Sequence, residues 1–507
     1  RFMKRSLGNK ISWLWQNAEK ILIVVFLATF TLNIRKIFLT PYSYLNGEFN
    51  EYTTLSFSWA DLLMLAVILI YTIKWLLGQG ETAEVGEIQG SNGSIKQYNN
   101  NSNKSSTLRF PRNVSRLFEA INKHLCQVFK YETFLLVLFL VWALLSISWS
   151  VYKPIAIYRI ANLLVIVAFV SILAVNLKDK KWLKVAFFAL LLNGVLQSAL
   201  GIAQFVNNSS IGLHFLGESI VSQNLPGVAK ILGFGERHIR AYGTFPHPNI
   251  LAGFLIIPIF IIVSELLKRI VEKTSTSKKV ARGTILAGIP AGFLAIALCF
   301  ILACFILTFS RSALLGLGIG LLALFWLNFD SIISVLTPPR SKRRFLFALL
   351  MVFIILSLVV FWFPARKDLL SLKSLDERNP YLNVARGTIL EHPIVGVGIG
   401  QFVFNEFLKY SNLEGWQYQP VHNVYFLVAS ELGAIGLILL LLFILFTIQK
   451  GIAKSNLTAG SFYCIIISFL VIALFDHYFW DIKIGMITFA LAIVFLRLFK
   501  VEPAEKN

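Results

Sequence analysis

The stretch Arg240-Ala241-Tyr242-Gly243-Thr244-Phe245-Pro246-His247-Pro248-Asn249 closes a polar loop and runs directly into residues 250–267, an apolar run long enough to cross a bilayer. An Arg at the mouth of a membrane span, seven residues before a His and beside a helix start, suits an anionic group. A guanidinium offers phosphate oxygens two parallel donors. The N–H groups of a first helical turn add partial positive charge. The same stretch also fits a plainer role, with Arg240 snorkelling to lipid phosphate and two prolines that only start the helix. The rest of the chain weighs between the two.

The chain has 507 residues, 56% hydrophobic and 14% charged. Soluble enzymes carry about 25% charged residues, so that class is excluded. Repeated apolar runs of about 20 residues predict an all-α polytopic membrane protein. About twelve spans are expected, at 18–34, 57–77, 132–150, 154–176, 183–205, 248–267, 284–308, 312–329, 345–363, 423–448, 460–476 and 482–499. With the N-terminus inside, 32 of the 47 Lys and Arg fall on the inner segments. That bias places both termini in the cytoplasm and accounts for the net charge of +21 without nucleic acid. The chain opens at Arg1 with Met3 as a possible start, and its first apolar run lacks a small-residue cleavage site, so it is expected to be a retained span. Four Cys (Cys126, Cys299, Cys304, Cys464) form no CxxC pair, which argues against a zinc or disulfide framework.

Between the spans, the inner loop 78–131 opens with linker composition, and its second half, Arg109 to Lys130, is a basic and apolar stretch suited to an anionic lipid surface. Asn193, Gln197 and Gln204 lie in the fifth span, where amides bond to neighbouring helices or, alternatively, line a cavity. Two long outer segments are expected, 206–247 and 364–422. The second holds a helix signal, with Asn379 as N-cap and Pro380 as the first helical residue, running to Glu391. Gly396-Val397-Gly398-Ile399-Gly400 is a tight backbone turn, not a GxGxxG nucleotide loop, and a short helix over about 401–410 follows. Glu431 is an acid inside the tenth span, expected to pair with another helix, while His422 sits at that span's mouth.

This topology gathers Arg240, Arg311, Arg386 and His422 at one outer interface. Several Arg around a pocket point to a polyanion, most simply phosphate or pyrophosphate, and a His there can move a proton near neutral pH. The plainer readings are that Arg311 marks the turn between two spans, Arg386 is solvated, His422 caps a helix and His247 shapes its turn. His124, His214, His238, His392 and His477 are read as structural or surface residues. Neither a DxD motif nor clustered carboxylates occur, so no metal and no cofactor is expected.

Taken together, Arg240-x-x-Gly-Thr-Phe-x-His-Pro-Asn, Phe309-Ser310-Arg311-Ser312, the segment Arg386 to Phe402, His422-Asn423 and Glu431-x-Gly433-x-x-Gly436 resemble the O-antigen ligase and O-antigen polymerase superfamily. The resemblance covers about 240–440 and is carried by hydropathy alone in the flanks. It implies a GT-C-like bacterial inner-membrane glycosyltransferase working on the periplasmic or outer face. The donor would be a glycan on undecaprenyl pyrophosphate. The acceptor would be a hydroxyl on lipid A core, on another glycan or on a protein. Carried over by motif, Arg240, Arg311 and His422 would be catalytic, with Arg386, His247, Asn249 and Asn423 binding substrate. The implied parts are 1–240 (five N-terminal spans), 241–450 (the ligase-like core with loop 364–422) and 451–507 (the last two spans). The rival from another class is an anionic-solute transporter. No repeat relates residues 1–250 to 251–507, and the polar groups gather at one surface, which disfavours it.

Overall fold

The structure is a computed structural model and describes residues 11–78, 131–233, 236–274, 286, 288–327, 378–452 and 457–499. The expected span at 345–363, the linker at 79–130 and Cys126 lie outside the described residues. In a bilayer every backbone polar group must be satisfied within the segment, so long apolar runs become helices. They do so here as α1 (Ala18–Thr29), α2 (Trp59–Leu76), α3 (Tyr131–Leu145), α4 (Lys153–Asn176), α5 (Lys180–Asn207), α6 (Pro248–Thr274), α7 (Ala291–Leu307) and α8 (Arg311–Leu327). These are followed by α9 (Asn379–Glu391), α10 (Phe402–Lys409), α11 (Val424–Ile452), α12 (Leu457–Ile472), α13 (Tyr478–Asp481) and α14 (Lys483–Leu498).

Six helices among the described residues are long and apolar enough to cross a membrane: Trp59–Leu76, Tyr131–Ser148, Lys153–Asn176, Lys180–Asn207, Pro248–Ile270 and Val424–Gln449. Ala291–Leu307, Arg311–Leu327 and Gly460–Ile472 are apolar but shorter. Helix α6 is apolar all round and sits at the centre, buried over its whole apolar window. It packs against α5, α7, α8, α12 and α14. Three ion pairs brace the helices: Glu19 with Lys74, Asp61 with Lys483, and Glu265 with Arg269 at 3.0 Å.

Not everything is helical. Helix α1 ends at Thr29, and residues 35–58 form a polar flap with β1 (Arg35–Phe38) antiparallel to β4 (Leu55–Ser58), and β2 (Tyr44–Leu45) paired with β3 (Glu48–Phe49). This flap is stitched to the chain before α11. Asn46 Nδ2 donates to the Ser411 carbonyl at 2.8 Å, Asn50 Nδ2 to that of Tyr418 at 2.9 Å, and the Trp416 N–H to Glu48 at 2.7 Å. A third pair, β5 (Lys230–Gly233) with β6 (Glu236–Ile239), leads into Arg240.

Helix α11 is broken at Gly433, whose φ of 66° belongs to the left-handed region. The freed groups are satisfied by the glycine-rich turn. The carbonyls of Ser430 and Glu431 accept from the Val397 and Gly398 N–H groups at 2.9 and 2.8 Å. The Leu432 carbonyl accepts from Trp142 Nε1 at 2.9 Å, and the Ala434 N–H donates to Pro393 at 2.9 Å. A Cβ at 433 would lie 2.1 Å from the Ile394 carbonyl oxygen, and one at Gly396 would lie 2.4 Å from that of Glu431. Only two facing glycines allow this approach. Glu431 itself is buried and accepts from Trp480 Nε1 at 2.8 Å, on α13. Gly433→Ala is therefore expected to lower the apparent melting temperature in detergent by several degrees, since left-handed backbone costs a non-glycine residue about 1–2 kcal/mol before the clash. An unchanged melting curve would contradict this packing.

Candidate functional site

The loop that carries Arg240 is fixed by the amides of α5. Gln204 Oε1 accepts from the N–H groups of Tyr242 (3.2 Å) and Gly243 (2.8 Å), while its Nε2 donates to the Gly243 carbonyl and to Glu218, both at 2.9 Å. Gln197 Oε1 accepts from the Thr244 N–H at 2.9 Å, and its Nε2 donates to the hydroxyls of Thr31 and Thr244. Asn193 completes the ladder with Thr31 and the Leu27 carbonyl. Amides buried in a bundle must find partners. Here some of those partners are the backbone of the functional loop.

Arg240 then spans the end of α7 and the start of α6. Its Nε donates at 2.5 Å to the carbonyl of Thr308, one of the acceptors left open where α7 ends. Its Nη2 donates to Asn249 Oδ1 at 2.6 Å, and Asn249 Nδ2 donates to Asp476 Oδ2 at 2.7 Å. Asp476 Oδ1 accepts the His477 N–H at 3.0 Å, and His477 Nδ1 lies 2.8 Å from both carboxylate oxygens of Asp481. One hydrogen-bonded chain thus joins residues from three distant parts of the sequence.

Arg240, Asn249, Asp476 and His477 line a cavity of about 520 Å³ with Arg311, Arg378, Lys230, Glu51, Tyr52, His247 and His422. Asn249, Arg311 and Arg378 lie in the first turn, or at the N-cap, of α6, α8 and α9. Three helix starts therefore add their partial positive charge to four cationic side chains. Of the two lining carboxylates, Glu51 is paired with Arg35 and Asp476 is engaged by Asn249. The turn before α8 is tight, with Phe309 at φ 48°, and it presents Arg311 as the first, exposed residue of the helix.

Burial and mutual repulsion set the protonation states. Burial lowers the Arg240 guanidinium to about 10, which still leaves it charged. His247 is pushed down to about 3 by burial and then by the Arg240 charge. His422 also falls to about 3, through burial and then the charges of His477 and Arg378. Both rings are therefore neutral at physiological pH. His247 Nδ1 accepts from the Asn249 N–H at 3.2 Å, which leaves the proton on Nε2. His422 Nδ1 is buried and has no hydrogen-bond partner among the described residues. Burial alone would raise Asp476, but the charges of neighbouring groups, His477 first and Arg378 among them, outweigh it and hold the carboxyl below its ordinary value.

Of the residues expected to act, Arg240, Arg311, His422, His247 and Asn249 come together on this cavity. Arg386 does not line it and is exposed on α9, two turns beyond Arg378. Asn423 does not line it either. Its Oδ1 accepts from the Phe426 N–H at 3.0 Å and its Nδ2 donates to Leu474 at 2.9 Å, so it caps α11. Helix α9 begins at Asn379 itself, with Arg378 in the N-cap position in place of the expected Asn379. Sequence reasoning passed over Arg378, Lys230, Asp476 and His477. The expected span 460–476 ends as a helix at Ile472, which frees Asp476 to enter the cavity. The available signal was the His477–Asp481 spacing of four, which puts a carboxylate one turn from an imidazole. Among the described residues no group of three or more His, Cys, Asp or Glu is placed to hold a metal ion.

Helices long enough to cross a bilayer, with a strongly cationic cavity at one end of the bundle, define a polytopic membrane protein whose site suits an anionic ligand. Residues 294–441 match the family described as O-antigen ligase, which supports the resemblance to the O-antigen ligase and polymerase superfamily over that stretch. Among the curated proteins none matches the chain.

Arg311 and Arg240 should separate binding from stability. Arg311→Ala is expected to weaken pyrophosphate binding at least tenfold while the melting temperature holds, since a charge-assisted hydrogen bond is worth about 1.5–3 kcal/mol. Arg240→Ala should lose both, because it also uncaps α7 and releases Asn249. Equal melting losses in the two variants, measured beside a binding titration, would refute this division.

Proposed function

We propose that the chain is a membrane glycosyltransferase of the O-antigen ligase type, moving a glycan from undecaprenyl pyrophosphate to an acceptor hydroxyl. The observation that carries this reading is the meeting of Arg240, Arg311, Arg378 and His422 on one cavity at one end of the bundle. The family match supports a ligase or polymerase role and a lipid-linked glycan substrate. In the proposed topology about twelve spans cross the bacterial inner membrane, both termini are cytoplasmic and the cavity opens to the periplasmic or outer face. The ligase-like core 241–450 would contain the matched segment, with 1–240 and 451–507 as flanking bundles that each lend residues to the cavity.

The mechanism is an inverting displacement that uses no metal. Arg240 and Arg311 hold the diphosphate and stabilise the charge that collects on it as its bond to the sugar C1 breaks. His422 is neutral and has a lone pair to offer. It receives the proton of the acceptor hydroxyl as the new C1–O bond forms. Asn249 steadies the Arg240 fork. Arg386 and Asn423 stand off the cavity, so contact with a glycan that extends beyond it is the part left to them. The diphosphate is already a good leaving group, so positioning and charge supply most of the rate.

The test is release of undecaprenyl pyrophosphate from a labelled donor by purified protein, with lipid core, free glycan and peptide acceptors offered in parallel. Transfer to lipid core marks a ligase, chain growth a polymerase, and peptide labelling a protein glycosyltransferase. His422→Ala should cut turnover about 10²–10⁴-fold with donor binding retained. Full turnover by that variant would remove His422 from proton transfer. Directed uptake of an anionic solute into vesicles without donor cleavage would favour a transporter.

A further inference from the structure

The three imidazoles on the cavity are backed differently. His247 Nδ1 accepts a backbone N–H, His422 Nδ1 has no partner among the described residues, and His477 Nδ1 is clasped by both oxygens of Asp481 at 2.8 Å. The clasp is itself anchored, since Arg159 donates to the Asp481 carbonyl and Asp476 accepts the His477 N–H. The His477 ring stands edge-on to His422, with centroids 5.0 Å apart at 87°, and 5.7 Å from Tyr52. A carboxylate on Nδ1 fixes the ring's orientation, favours its charged form and leaves Nε2 as the nitrogen that is not already bonded. His477 is only 6% exposed, and a cation that deep needs such compensation.

We propose that His477, held by Asp481, serves the leaving group: it faces the diphosphate as an imidazolium while neutral His422 takes the acceptor's proton. The assignment rests on the transferase reading above. In the step, the acceptor oxygen bonds to C1 and its proton passes to His422. The C1–O bond to the diphosphate breaks, and its electron pair stays on the diphosphate oxygen. The His477 Nε2–H donates a hydrogen bond to that oxygen and keeps its proton. This gives the two rings opposite duties from opposite surroundings.

The groups that face His477 are Asp481 on its own helix, Asp476 just before it, His422 ahead of α11, Tyr52 from the flap, Arg378 at the start of α9 and His247 ahead of α6. Burial opposes the charge on His477, but Asp481 and Asp476 more than offset it and raise the group above its ordinary value. A group whose working form is the cation keeps its effect at low pH and loses it as pH rises through its own titration. His422, already neutral across this range, adds no such limb.

The experiment is the rate of transfer from the lipid-pyrophosphate donor by the full chain, from pH 6 to 9, for wild type, Asp481→Asn and His477→Gln. Wild type should lose activity on the alkaline side. In Asp481→Asn that fall should move down by about one pH unit or more, as loss of an adjacent charge requires. In His477→Gln kcat should drop at least about tenfold with the alkaline fall abolished. Superimposable profiles for wild type and Asp481→Asn, or an unchanged limb in His477→Gln, would overturn the assignment. Should Asp481→Asn fail to fold, His477→Gln decides alone. If wild type releases no lipid pyrophosphate, the transferase reading falls, and titration with inorganic pyrophosphate at pH 6.5 and 8.5 still tests His477. Wild type should then lose more affinity with pH than His477→Gln, and equal losses would reject the cationic role.

Discussion

Like charges repel, and the cavity brings four cationic side chains and three imidazoles to one place. What makes this tolerable is the chain of hydrogen bonds from the Thr308 carbonyl through Arg240, Asn249, Asp476 and His477 to Asp481. Each cation in it meets a full or partial negative charge, and the single uncharged link, Asn249, passes the field from guanidinium to carboxylate. A buried polar network of this kind is stabilising only when every member is satisfied. Arg311, Lys230 and Arg378 add further positive charge to the cavity wall, where a diphosphate would help to balance it.

The network does not stand by itself. It depends on α5, whose amides hold the Tyr242–Thr244 backbone at fixed height, and on the broken helix α11. The break at Gly433 lets the 393–398 turn dock into the bundle, so the segment between α9 and α11 is anchored at both ends. The flap 35–58 closes over it and contributes Tyr52 to the wall. The helices supply rigidity, and the irregular pieces supply direction.

Protonation follows from this arrangement. His422 and His477 stand 5.0 Å apart, yet burial and nearby cations lower the first to about 3 while the carboxylates raise the second above its ordinary value. Two adjacent rings cannot both carry a proton cheaply in a buried site. The carboxylates of Asp481 and Asp476 decide which one does. A site that must both accept a proton and stabilise a departing anion needs this asymmetry.

Hydropathy in the sequence was sufficient to identify a helical membrane protein, because apolar runs have no other stable form in a bilayer. Loop order brought Arg240, Arg311 and His422 to one side, and Gly396, Gly398 and Gly400 could be read as a turn because glycine alone takes left-handed backbone freely. The rest lay in packing. Sequence could not show that Gln197 and Gln204 serve the Arg240 loop, since an amide's partner depends on which helix lies beside it. Nor could it separate Arg386 from Arg378, two turns apart on one helix, when only the docking of that helix selects which reaches the cavity. Asp476 and His477 were hidden for the same reason: the point where α12 ends is fixed by its neighbours, and four residues of helix more or less decide whether a carboxylate meets lipid or a cation.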